Sequence, residues 1–158
     1  MILFARHPDP LADALQAMGI DLADHCLFDH PEWVLGPRFR LKTCELAYRR
    51  PQPDTLLVLR YRRLDVHRGL VNPFADLLWF LELATRSEFA IRHVMGYVST
   101  WLFRQDGGPD DDRLAAFYLR YFRGHTRRYD GHLWLHQEAS LLRERVLAIR
   151  GPARAAPS

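Results

Sequence analysis

Eight histidines and two cysteines are the residues of this chain best suited to hold a metal or move a proton. Asp24, His25, Cys26 and His30 put oxygen, nitrogen and sulfur donors close together, which resembles half of a tetrahedral zinc site. No second cluster of matching ligand spacing completes it, and Pro31 and Trp33 fit an ordinary surface loop. His132 and His136 would share one face of a helix, but Leu133, Trp134 and Leu135 alternate between them as in a strand, where the two rings stand about 13 Å apart. Neither set earns a metal, and no cofactor is assigned. Gly-x-Ser-x-Gly, phosphate-cradling and dinucleotide patterns are absent from the sequence. Gly107 and Gly108 sit among Asp106, Asp110, Asp111 and Asp112, which repel a phosphate, and the run lacks the alternating carboxylates and closing glutamate of a calcium loop. The expectation is a protein that is not an enzyme.

The densest positive feature is Arg60, Arg62, Arg63, His67 and Arg68, with Arg49 and Arg50 across a turn from them. On a strand Arg60 and Arg62 share a face, so a cationic strip lies beside a hydrophobic hairpin. Such a strip is either a solvated sheet face or a dock for an acidic protein, a phosphate backbone or a lipid surface, and among the binding readings an acidic protein partner leads. Nucleic acid fits less well, because the strip is short and no aromatic stacking platform is interleaved through it.

The elements that would carry these residues follow from spacing. Asp9 as cap and Pro10 at the first turn start a helix through Leu11, Leu15 and Met18, and Gly19 ends it. Residues 38–49 read as one strand whose phase slips near Thr43, a sign of a bulge. Pro51 to Asp54 form a turn, and Leu56 to Leu64 a second strand that pairs back as a hairpin. Asn72 and Pro73 mark the start of a helix to about Ser87, with Phe74, Leu77, Leu78, Leu81 and Ala84 on one face. A strand over Ile91 to Phe103, a helix over 110–123 and a strand from Tyr129 to His136 follow. A last helix presents Leu141, Leu142, Arg145 and Ile149. Strands and helices without regular βαβ alternation predict an α+β fold: one compact domain over 1–150, a small, mostly antiparallel sheet packed against helices, with 151–158 as a loose tail.

Composition agrees with a folded domain. The 158 residues are 48% hydrophobic and 26% charged, and the net charge of +3 permits an acidic partner without requiring one. The apolar start Met1 to Ala5 is too short for a signal peptide, and no apolar stretch is long enough to span a bilayer, so a cytoplasmic protein without membrane insertion is expected.

Three strings carry a resemblance. Leu35-Gly36-Pro37-Arg38-Phe39-Arg40-Leu41 continuing to Leu46-Ala47-Tyr48-Arg49, then His67-Arg68-Gly69-Leu70-Val71-Asn72-Pro73-Phe74-Ala75, then Arg113-Leu114-Ala115-Ala116-Phe117-Tyr118 with Arg120, occur in the order seen in the low-calcium-response protein R family. Over roughly residues 35–148 the chain resembles that family of bacterial type III secretion regulators. The first forty residues match it poorly. Within the second string Gly69, Asn72, Pro73 and Phe74 have a structural role, as a helix start. The resemblance implies a cytoplasmic, virulence-associated regulator that works by contact with needle-tip, gatekeeper, chaperone or export components, and it supplies no active site. Two rival functions remain at this point. A secretion chaperone would act as a homodimer and accept an effector segment along an exposed edge such as Leu56 to Leu64. A transcriptional regulator would bind DNA, but the stretch after Gly124 reads as strand and not as the second helix of a helix-turn-helix.

Overall fold

A computed structural model of the chain describes residues 8–26, 30, 32–64, 74–97, 125–129 and 132–150. Helix α1, Pro10–Ala17, begins as its sequence predicts: the Asp9 carboxylate accepts the Leu11 N–H at 3.2 Å, and Gly19 follows the helix at φ +85°. Leu11 and Leu15 are buried, whereas Met18 is exposed. Asp9 has two further donors, the Tyr48 hydroxyl at 2.8 Å and Arg50 Nη1 at 3.3 Å. It therefore joins α1 to the sheet as well as capping it. Asp9→Ala removes a cap and leaves two buried donors short of an acceptor, so it is expected to lower stability by about 2 to 3 kcal/mol, measurable by urea unfolding.

Seven strands form one sheet in the order β1-β2-β3-β4-β5-β7-β6. They are β1 Ala23–Cys26, β2 Val34–Arg40, β3 Cys44–Gln52, β4 Thr55–Arg63, β5 His93–Tyr97, β6 His125–Tyr129 and β7 His132–Glu138. Every neighbouring pair is antiparallel except β4 and β5. That parallel step requires a crossover, and helix α2, Ala75–Ala84, lies within it. Helix α3, Ala139–Arg150, follows β7 directly and packs on α2. The fold is thus α+β, with a mostly antiparallel sheet as the composition and spacing suggest.

Helix α2 is more deeply set than one apolar face would make it. Every residue from Asp76 to Ala84 is buried, Trp79 and Phe80 included, as suits a helix apolar on nearly all sides. Phe80 packs against Phe39 and Tyr48 at ring-centroid distances of 5.4 and 5.6 Å. Phe74 occupies the cap position without a side-chain cap bond and stacks on Tyr61 at 6.0 Å; Asn72 and Pro73, expected to start the helix, lie outside the described residues. On α3 the buried residues are Ala139, Leu142 and Val146, while Leu141 and Ile149 are exposed, so the inward face is turned from the one expected.

Other expectations need correction. Residues 38–49 are not one bulged strand: β2 ends at Arg40 and β3 begins at Cys44, so the slip in phase is a hairpin turn. Leu41, Lys42 and Thr43 contain no glycine, proline or asparagine to signal it. The turn is fastened from outside, by the Asp76 carboxylate of α2, which accepts both the N–H and the hydroxyl of Thr43 at 2.6 Å. Strand β3 also runs through Pro51, which falls where the register with β4 breaks between Arg49 and Gln52. The strand expected over Tyr129 to His136 corresponds largely to β7, with Tyr129 the last residue of β6; β6 itself and β1 were not foreseen. Residues 98–103 of the expected strand, the helix over 110–123 and the tail over 151–158 lie outside the described residues.

Candidate partner-binding face

Residues directly opposite in an antiparallel pair point to the same side of the sheet. Phe39 faces Leu46 and Leu46 faces Tyr61, all buried against the helices. Their neighbours must therefore face away: Arg38 pairs with Ala47, Arg40 with Glu45, Glu45 with Arg62 and Ala47 with Arg60. Arg38, Arg40, Arg60 and Arg62 thus meet on the second side of three adjacent strands around a single carboxylate, Glu45.

A bulge makes this arrangement possible. Simple alternation from Leu56 would turn Arg60 and Arg62 to the helices and Tyr61 away from them. Instead the register shifts, with Ala47 opposite Arg60 and Tyr48 opposite Val58, so β4 carries one extra residue at Leu59. Val58 and Tyr61 both reach the core, and the arginines are delivered to the other side.

Glu45 is 5% exposed and bonds Arg40 Nε at 3.2 Å and Arg60 Nη2 at 3.3 Å. The two arginines differ in what remains available to a partner. The Arg60 side chain is 16% exposed, while that of Arg40 is 67% exposed. Arg60 is thus chiefly the counter-charge of a buried carboxylate. Arg40 and the half-buried Arg38 and Arg62 carry the remaining positive charge of the face. At its border, a groove lined by Met18, Ile20 and Asp21 runs beside Arg38, Arg40 and Lys42.

The other residues of the expected strip are placed differently. Arg63 pairs with Cys44 and so faces the helix side. Arg50 is a buried anchor, bonded to Asp9, to the Pro53 carbonyl and to the Phe89 carbonyl at 3.1 Å. His67, Arg68 and Gly69 lie outside the described residues. Strand β4 is flanked by β3 and, over Thr55 to Val58, by β5, so that part of the stretch Leu56 to Leu64 offers no edge for an added peptide strand.

Burial, with Asp76 and Glu45 adding to it, pushes the Cys44 thiol far above its ordinary pKa, which keeps it protonated and unreactive. Burial and the Asp9 carboxylate likewise push the Tyr48 phenol up. His30 stacks on Trp33 at 4.7 Å. Among the described residues no group of three or more His, Cys, Asp or Glu side chains is arranged to hold a metal ion. A row of His93, His136 and His125 does form across β5, β7 and β6. It escaped sequence reading because its members come from three strands and only the register brings them together.

Residues 8–148 match the family described as type III secretion system regulator (LcrR). A search of curated proteins returns no match. The family match begins well before the strings quoted above, just ahead of α1, so residues 8–40, within the segment that looked foreign to the family, are part of it. It takes in α1, the whole sheet and most of α3. With that span matched, the chain belongs to the LcrR family of type III secretion system regulators.

Proposed function

We propose that the protein regulates type III secretion without catalysis, in the bacterial cytoplasm, by docking an acidic segment of a secretion component on the arginine face of β2, β3 and β4. The observation that carries this reading is the Leu59 bulge, which turns Arg60 and Arg62 out beside Arg38 and Arg40. The same bulge seats Tyr61 in the core, and a face that meets a carboxylate-rich surface gains from it planar, bidentate donors at fixed spacing. Needle-tip, gatekeeper, chaperone and export-apparatus proteins are the candidates for the partner. Among the described residues no helix is long and apolar enough to cross a membrane.

The test is capture of tagged protein with its bound partners from nuclease-treated lysate of its own bacterium, followed by mass spectrometry. Recovery of a needle-tip, gatekeeper or export component is the expected result. A lone effector bound to a homodimer would instead identify a chaperone, and recovery of no secretion protein would sink the proposal.

A further inference from the structure

Three imidazoles from three adjacent strands stand in a row on the same side of the sheet as the arginines. His93 Nδ1 lies 3.1 Å from His136 Nε2, and His136 Nδ1 lies 3.1 Å from His125 Nε2. Register explains the meeting: Met95 pairs with His136, which places His93 on the same face one step along β5, and His136 pairs with His125. His136 is 6% exposed, between Met95 and Trp134, whereas His125 on the outermost strand is exposed.

The row does not have the form of a metal site. His136 spends one ring nitrogen on each neighbour, and a single imidazole cannot turn both nitrogens to one ion. What the geometry does fix is a number of protons. Each nitrogen-to-nitrogen contact holds one hydrogen. Three neutral rings fill both contacts, with every N–H pointing along the row in the same sense. One extra proton is also accommodated, since a charged His136 donates from both nitrogens or an end ring carries the charge. A second extra proton places two hydrogens in one contact and opens it.

We propose that the His93–His136–His125 row is an acid-sensitive latch that fastens β6 to the sheet and opens when it takes up a second proton. Strand β6 is last in the strand order, and among the described residues β7 is the strand it pairs with, so the row reinforces its one ladder. The charged and titratable groups facing His136 among the described residues are His93 on β5, His125 and Arg127 on β6 and Glu138 on β7. Burial first, then His125, His93 and Arg127, hold the His136 pKa below its ordinary 6.5, with Glu138 opposing them. A lowered histidine pKa means that the latched state binds fewer protons than the detached one. The latch is therefore at full strength above about pH 6.5 and is lost as pH falls below it. With β6 released, His125 binds one proton in acid and the remaining His93–His136 pair one more, against at most one for the latched row, so the opening constant rises toward about tenfold per pH unit.

Hydrogen exchange of the full chain, read as amide protection factors at about pH 7.5 and about pH 5.5, tests this. Protection of β6 should fall at least about tenfold more than that of β2 and β3 on acidification. His136→Phe keeps a flat ring between Met95 and Trp134 but cannot titrate, and should abolish the difference. Should that variant fail to fold, His125→Gln at the exposed end must do the same. Protection of β6 that is indifferent to pH, or that falls only in step with β2 and β3, would overturn the latch. Stoichiometric zinc binding that is lost in His136→Phe would overturn it too, by showing that the rings part to hold a metal.

Discussion

Gly36→Ala is expected to unfold the β1–β2–β3 end of the sheet. A methyl group built on Gly36 would stand 2.0 Å from the Tyr48 carbonyl oxygen and 3.2 Å from Arg49 Cα. Both are backbone atoms of a neighbouring strand, so no rotamer change relieves the clash. Either β2 moves off β3 or the sheet loses its register, and Phe39, Leu46 and Tyr48 lose their packing in the process. The cost should be at least about 3 kcal/mol, which for a domain of this size lowers the melting temperature by roughly 10 °C. Thermal unfolding by circular dichroism reads it directly. A variant within a degree or two of the wild type would mean that β2 and β3 do not approach as described. Leu35-Gly36-Pro37 opens the first string shared with the family, and the clash gives that glycine a physical role.

Asp76→Ala should have the next largest effect. Asp76 is 5% exposed on the first turn of α2, and its Oδ2 accepts both Thr43 donors. With the carboxylate gone, the Thr43 N–H loses its acceptor and the turn between β2 and β3 loses its only fastening from α2 among the bonds described. The loss is expected to be about 3 kcal/mol by denaturant titration. Thr43→Val should recover only part of it, since it removes the hydroxyl but leaves the N–H unpaired. A full recovery would mean that the backbone N–H contributes little.

The elements most legible in the sequence were those whose signals are local. Asp9 and Pro10 start α1 because cap and first turn are short-range devices, and the β3–β4 hairpin follows from Pro53-Asp54 between two branched, aromatic runs. What escaped notice depends on partners distant in sequence. The turn at Leu41 to Thr43 carries no turn residues because Asp76, thirty-three positions on, fastens it. Strand β1, with Ala23, Asp24, His25 and Cys26, has no apolar alternation because it is an edge held mainly by its backbone pairing with β2. The arginine strip was legible as composition and as a shared strand face. Its division was not: Arg60 is drawn inward by Glu45, a residue with no distinguishing neighbours in the sequence, and Arg50 by Asp9. Nothing in the spacing of His93, His125 and His136 announces that they touch, because that contact exists only once β5, β7 and β6 are in register.

The central claim, that the second face of β2, β3 and β4 receives an acidic partner, is tested most directly by titration calorimetry of the captured secretion component against the wild type and an Arg38→Glu, Arg62→Gln double variant. Arg38 is reversed because it lies opposite Ala47, and Arg62 is only neutralised because Glu45 lies directly across from it. The account predicts an affinity at least about 30-fold weaker, with a flatter dependence on salt and an unchanged circular dichroism spectrum. An affinity equal to that of the wild type, measured on a variant that is equally well folded, would contradict it and move the binding surface elsewhere on the molecule.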